Sequence, residues 1–297
     1  MTAADRSTAL TPAMGVLMPA VFVGLWSTGF IGAKLGLPHA EPLTFLGWRM
    51  VFAASLLAVV GGIARAPWPS GRMALHCMLA GLLVHGVYLG GVFEAIFRGM
   101  SAGLTALVVS LQPLLTGALA GWLLGEKVSG RQWLGLGLGL AGVGLVLSEK
   151  IGFAGFSLEG LICSLAALAG ITFGTLYQKR FGGANDLRTG TALQYAACGL
   201  VLLGLATTHE TMMIDWTGEF LFAFMWLSLI LSVVAIAVFY VLIRRGDAAR
   251  VASLMYLVPP LTAAIAWALF DEQLGLRAMA GMVVVAVGVG LVNRPAR

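Results

Sequence analysis

A histidine and a tyrosine three residues apart, His85 and Tyr88, stand inside the apolar run LLVHGVYLGGVF at 82–93. On a helix that spacing puts both on one face. Together they offer a phenol and an imidazole whose ordinary pKa lies near neutral pH. Ser110, Gln112 and Pro113 fall together in SLQPLLT, and Tyr256, Pro259 and Pro260 in YLVPPLT. Trp26, followed by Ser27 and Thr28, sits in a further apolar run. Hydroxyls, an amide and aromatic rings in apolar surroundings bind and orient a small solute. Bond-breaking chemistry needs other patterns, and there is no His-Glu-x-x-His, no Gly-x-Ser-x-Gly turn and no acid pair at ligand spacing. No metal and no cofactor is implied, and the chain does not read as an enzyme. Cys77, Cys163 and Cys198 are isolated in apolar stretches and read as small packing residues.

Each of these residues also has a plainer role. A lone histidine is commonly a hydrogen-bonded packing residue, a membrane aromatic commonly packs or anchors at an interface, and a proline commonly makes only a kink. Which role applies depends on the elements that carry them.

Those elements are set by composition. The chain is 59% hydrophobic and 10% charged, against about 45–50% and about 25% in soluble domains, and its mean hydropathy is +0.94. So few charges cannot cover a water-facing surface, so lipid is the expected solvent. No basic run of the kind that binds nucleic acid is present. A spanning helix needs about 20 apolar residues. Ten segments qualify: 13–35, 41–64, 73–97, 100–124, 130–148, 157–180, 188–207, 217–243, 249–270 and 276–293. The first is long for a signal-peptide core and lacks a small-x-small cleavage site, so it is expected to stay as a span. Ser129 and Gln132 form a capping box ahead of the fifth.

An even number of spans puts both termini on one side. With that side cytoplasmic, thirteen Lys/Arg lie inside and four outside, while Arg49 falls within the second span. The positive-inside rule therefore places both termini in the cytoplasm of a multi-pass inner-membrane protein.

Shifting the sequence by 146 residues aligns 92–147 with 238–293 without a gap, at 20 identities in 56 positions. Pro113 falls on Pro259, Thr116 on Thr262, Glu126 on Glu272 and Arg131 on Arg277. The expectation is two five-helix halves, 1–150 and 151–297. Five is odd, so the copies face opposite ways, and the substrate lies between them. Pro113 and the Pro259-Pro260 pair then break the fourth and ninth spans at mid-depth, freeing the carbonyls of Val109, Met255 and Tyr256. Free backbone at that depth is tolerated inside protein or against a wet cavity. Trp26, His85, Tyr88, Ser110, Gln112 and Tyr256 are the candidate substrate-binding residues, and Pro113, Pro259 and Pro260 the helix breaks.

The acids read differently. Glu126 and Glu272 are expected at turns on opposite faces, holding hydrogen bonds or an ion pair that seals each end. Glu94 lies nine residues from His85, on the other side of its helix, and four before Arg98, at ion-pair spacing. Arg49 reaches a depth comparable with Glu94; a structural or gating charge pair is expected for Glu94, and a proton-carrying Glu94 is the alternative. Small residues at Gly135, Gly137, Gly139, Gly142 and Gly144, with Ala280, Gly281, Ala286, Gly288 and Gly290, suit close helix approach, or contact between copies in a homo-oligomer.

LWSTGFIGAKLGL at 25–37, PLTFLGWRMVFAASLL at 42–57 and the two proline-to-acid segments resemble the drug/metabolite transporter superfamily in its EamA-type, ten-span branch. The resemblance covers nearly the whole chain, and its overall character is most similar to aromatic amino-acid exporters of the YddG type. It implies an all-α secondary transporter exporting amino acids or other small metabolites by alternating access around a central cavity. A proton-coupled exporter of cationic drugs working through Glu94 is the second reading. The halves are not chemically equal: Ile171 stands where the repeat places Trp26, and Gln194 where it places Arg49.

Overall fold

A computed structural model describes residues 12–100, 102–148, 157–182, 185–270 and 275–294; Arg6, Lys150 and Glu272 lie outside them. Among the described residues the chain is helical without strands, apart from an isolated bridge between Ala40 and Ile214. In chain order the helices are α1 (Pro12–Gly36), α2 (Pro42–Ile63), α3 (Gly71–Phe97), α4 (Ala102–Val109), α5 (Gln112–Leu124) and α6 (Gly130–Ser148). There follow α7 (Leu158–Phe181), α8 (Leu187–His209), α9 (Gly218–Arg245), α10 (Ala248–Ser253), α11 (Val258–Phe270) and α12 (Leu276–Asn293). Six of them, α2, α3, α7, α8, α9 and α12, are long and apolar enough to cross a membrane. The segments expected as the fourth and ninth spans are each two shorter helices, α4–α5 and α10–α11.

Local sequence sets these limits. Pro42 opens α2 and Pro113 opens α5, where a missing N–H costs nothing. Ser157, Asp186 and Thr217 cap α7, α8 and α9 by accepting from Gly160, Arg188 and Phe220 N–H groups. At α6, Gln132 Oε1 accepts from Ser129 N–H at 2.8 Å while Ser129 Oγ accepts from Gln132 N–H. Gly125 ends α5 at φ 70°, the left-handed geometry that glycine adopts without cost.

Helix limits recur at the offset that aligns the sequence. α5 and α11 begin at 112 and 258 and end at 124 and 270, each 146 apart. Within α3 and α9 the hydrogen bonding widens to π geometry at Leu82–Leu89 and Trp226–Ala235, stretches that end 146 residues apart.

Partners in this register also pack on each other. α6 and α12 run antiparallel along a glycine seam: a Cβ on Gly135 would lie 2.6 Å from Gly288 O, and one on Gly142 would lie 2.7 Å from Val285 N. α2 and α8 run antiparallel too. Glu210, just past α8, accepts from the N–H groups of Leu43 and Thr44 at 2.7 Å, and Glu41, before α2, accepts from Thr211 N–H at 2.7 Å. The Glu210 carboxylate sits on the orphan N–H donors of the first turn of α2, where a negative charge is favoured. Bulky apolar residues such as Trp122, Ile63 and Leu276 are about four-fifths exposed on the outside, a surface suited to acyl chains. Polar side chains go inward, among them Ser27, Arg49, His85, Gln112 and Gln194.

Candidate functional site

Two adjoining cavities occupy the middle of the bundle. The larger holds about 630 Å³ of atom-free space, including its open mouth, and is walled by Trp26, Arg49, His85, Tyr88, Phe93 and Tyr195 with Leu231 and Ile236 opposite. The second, about 480 Å³ measured the same way, shares Trp26, Tyr88 and Val92 with the first. Ser110, Gln112, Ile171, Met255, Val258 and Pro259 line it. Residues on both sides of both helix breaks therefore face one space: Val109, Ser110 and Gln112 from the first, Met255, Val258 and Pro259 from the second.

The aromatic wall is fixed from behind. Phe239 stacks on Phe22 at 5.3 Å between centroids and tilts against Trp26 at 5.4 Å. His85 lies 4.5 Å from the Tyr195 ring, and its Nε2 is 3.1 Å from Tyr240 Oη. Tyr240 gives its single proton to Gln194 Oε1 at 2.6 Å, so its oxygen accepts and His85 carries a proton on Nε2. Gln194 Nε2 donates onward to Gln178 Oε1 at 3.2 Å. His85 is thus both a cavity wall and the first member of a buried hydrogen-bond chain.

Arg49 contributes the one charge on these walls among the described residues, and it is 4% exposed. Arg49 does not pair with Glu94, whereas the i,i+4 pair of Glu94 with Arg98 that the spacing suggested does form. Glu94 accepts from Arg98 Nε at 3.0 Å, and Arg98 also reaches Glu159 at 2.8 Å, holding α3 to α7 outside the cavity. Those two carboxylates, Glu159 first, hold the exposed Arg98 guanidinium above its ordinary pKa. Depth alone allows Arg49 as a partner, but the i,i+4 partner is nearer. Arg49 Nε donates to Ser232 Oγ at 3.0 Å. Ser232 lies in the π stretch of α9, where the Ile236 N–H bonds to Leu231 O instead of Ser232 O four residues back. The Ser232 carbonyl instead accepts the Tyr195 hydroxyl at 2.6 Å. A widened turn is thereby used to hold both a guanidinium and a phenol, a use of π geometry common at functional positions.

Tyr256 is placed elsewhere than expected. It is fully buried against α6, where a Cβ on Gly139 would lie 2.5 Å from Tyr256 Cδ2; its neighbour Met255 is the residue that faces the cavity. The short 3-10 turn Leu254–Leu257 rotates the two relative to an unbroken helix. Pro113 and Pro260 are buried behind the wall that Pro259 helps to form. Ser27 ties the second break to α1, donating to Val23 O at 2.7 Å while its own carbonyl accepts from Thr262 Oγ1 at 3.2 Å.

The profile of the EamA-like transporter family matches residues 13–148 and again residues 158–294. The chain belongs to the EamA-like transporter family. Its relatives include an "Uncharacterized transporter YvbV" of Bacillus subtilis, 28% identical, the match covering 93% of this chain and 90% of the relative. A "Probable amino-acid metabolite efflux pump" of Escherichia coli is 29% identical, covering 93% of each. A solved structure described only as "Crystal structure of protein" superposes with a TM-score of 0.80 at 19% identity, over 95% of this chain and 97% of that one, which establishes the fold. EamA-like proteins are transporters and not enzymes, so this is a multi-pass membrane transport protein.

In this EamA-like chain further charged side chains among the described residues tie helix ends together. Glu126 pairs with Lys179 Nζ at 2.6 Å and accepts from Ala248 N–H at 2.9 Å, joining the α5–α6 turn to the end of α7 and the start of α10. Lys179 also donates to Gly246 O, and Arg244 to Gly182 O at 2.6 Å. Glu272 lies outside the described residues. Tyr195, Ser232 and Leu231 were not singled out by sequence reasoning. Tyr195 had a signal, since it adjoins Gln194, the repeat mate of Arg49; Ser232 had none, because its role depends on the π turn.

Proposed function

We propose that the protein is a secondary transporter exporting small amino-acid metabolites with aromatic or apolar side chains across the cytoplasmic membrane. Two inverted five-helix halves, 1–150 and 151–297, alternate access to the central cavity, with both termini cytoplasmic. The observation that carries this reading is that both helix breaks, at equivalent positions of the two halves, face one space that shares Trp26 and Tyr88 with the adjoining cavity of Arg49, His85 and Tyr195. Broken spans lining a midplane cavity are the usual setting of a transporter's substrate site. The antiparallel packing of α2 on α8 and of α6 on α12 supports inversion of the halves. So does the name of the Escherichia coli relative for the substrate class. The cavity extends to Ala33 and Ile96, near the ends of α1 and α3 that the charge distribution places outside, while the Glu126–Lys179 group ties the other end.

Export of cations driven by Glu94 loses support, because Glu94 is held by Arg98 away from the cavity and the cavity wall already carries a guanidinium. Proteoliposomes loaded with labelled phenylalanine and an equal load of phenylpyruvate test the reading. Flux above protein-free vesicles, saturating with concentration and showing counterflow, is expected. Flux equal to protein-free vesicles for both compounds removes it.

A further inference from the structure

We propose that Arg49 is an anion subsite, and that the substrate is a monocarboxylate with an aromatic or apolar body whose positively charged amino group is not required. This rests on the transport reading above but narrows its substrate class to amino-acid-derived acids such as 2-oxo acids and N-acyl amino acids.

The argument is one of charge. A guanidinium stays protonated in any protein environment, and burying it at membrane depth is costly unless a partner compensates. Among the described residues Arg49 has no carboxylate within ion-pair distance; its hydrogen bond goes to the neutral Ser232. Among the described residues no Asp or Glu lines either cavity. The walls therefore carry a net positive charge facing an otherwise aromatic and aliphatic space. Nε is occupied by Ser232, so the two terminal nitrogens form the fork that remains, and such a fork matches two carboxylate oxygens. Ser232 is itself held through Leu227 O at 3.1 Å, so the guanidinium is fixed before a ligand arrives.

A monocarboxylate neutralises this site and lays its body on Trp26, Tyr88 and Tyr195. A zwitterion neutralises it equally, but its ammonium finds only neutral acceptors, chiefly Gln112, whose Oε1 is buried without a partner. An amine without a carboxylate brings a second positive charge beside the first.

The test uses the purified full chain and five probes with one aromatic body: phenylpyruvate, N-acetylphenylalanine, phenylalanine, phenylalaninamide and phenylethylamine. Competition for flux in proteoliposomes and ligand-dependent rise of the unfolding temperature in detergent are both read. Phenylpyruvate and N-acetylphenylalanine are expected to compete at least as well as phenylalanine, and the amide and amine about tenfold or more weakly, as for a lost charged hydrogen bond. Arg49→Gln should abolish that preference and Arg49→Lys restore part of it. Ser232→Ala, which keeps the charge and loosens its position, should weaken the carboxylates while leaving their rank unchanged. If Arg49→Gln fails to fold, the Arg49→Lys and Ser232→Ala ranks still decide. Equal competition by amine and acids in the wild-type protein overturns the subsite while exporter function stands. Carboxylate-specific, Arg49-dependent stabilisation without flux of any probe supports the subsite and overturns the exporter reading.

Discussion

The two halves of the molecule match in backbone and differ in chemistry. α5 and α11 begin and end 146 residues apart, each follows a break, and each carries a proline in its first turn. At the cavity the likeness ends. The first half supplies Trp26, Arg49, His85, Tyr88 and Gln112, whereas the second supplies one phenol, Tyr195, beside the apolar Ile171, Leu231, Met255 and Val258. The offset puts Leu231 at the position of His85 and Val258 at that of Gln112. Backbone geometry has to stay matched if the halves are to exchange shapes. Substrate chemistry needs its polar groups only once. Apart from Tyr195, the second half's polar contribution comes from behind the wall, through Ser232, Tyr240 and Gln194, which hold Arg49 and His85 in place.

That contrast can be broken in order of expected effect. The largest loss belongs to the seam where the halves meet as equals. A Cβ on Gly288 would stand 2.6 Å from Gly139 N and 2.7 Å from Gly135 O, backbone atoms that cannot step aside. Gly288→Val should lower the unfolding free energy by about 3 kcal/mol, read by denaturant titration in detergent; a change near zero would mean that α6 and α12 do not pack as described. Next comes the cavity itself. Gln112→Val makes the first break chemically like the second and should slow flux of phenylalanine, whose ammonium Gln112 Oε1 can accept from, by about tenfold, one hydrogen bond's share. Val258→Gln, the reverse exchange, should not create a second site. Equal effects from both would show the halves to be chemically equivalent.

The smallest effect separates two equivalent turns. Glu41 leaves its own helix to bind Thr211, and α2 is capped by Glu210 instead. Asp186, its counterpart at an offset of 145, caps α8 locally and is bonded to Arg188 at 2.8 Å. Asp186→Ala should cost about 1 kcal/mol, the usual worth of an N-cap. Hydrogen bonds from Arg188 hold the Asp186 carboxyl down to about 2, below its ordinary 3.8. The folded state therefore binds this proton less readily, so the contribution is complete above pH 3.8 and is lost as pH falls toward about 2. Stability of the wild type and Asp186→Ala should converge over that acidic window; a constant gap would show that the carboxylate's charge is not what caps α8.

Much of this was legible in the sequence because it rests on periodicity and punctuation. Apolar runs gave the helices, Pro113 and Pro259 gave the breaks, and the offset of 146 gave the register between halves. Ser129 and Gln132 announced the cap that they form. What stayed illegible depends on rotation about a helix axis. The 3-10 turn at Leu254–Leu257 turns Tyr256 onto Gly139 and Met255 toward the cavity, and the π stretch in α9 offers Ser232 to Arg49. Neither departure from α geometry has a residue signature. Depth along the helices brings Arg49 level with Glu94, but it is the i,i+4 spacing to Arg98 that names the partner Glu94 takes.

Side-specific thiol labelling tests the central claim, that two oppositely facing halves enclose the cavity. In a chain with Cys77, Cys163 and Cys198 changed to alanine, cysteine is placed singly at Gly130 or Leu276, the exposed first residues of α6 and α12, 146 apart. Oppositely oriented halves require a membrane-impermeant maleimide to reach Gly130→Cys only from the cytoplasmic side and Leu276→Cys only from outside. Labelling of both from the same side would contradict the account.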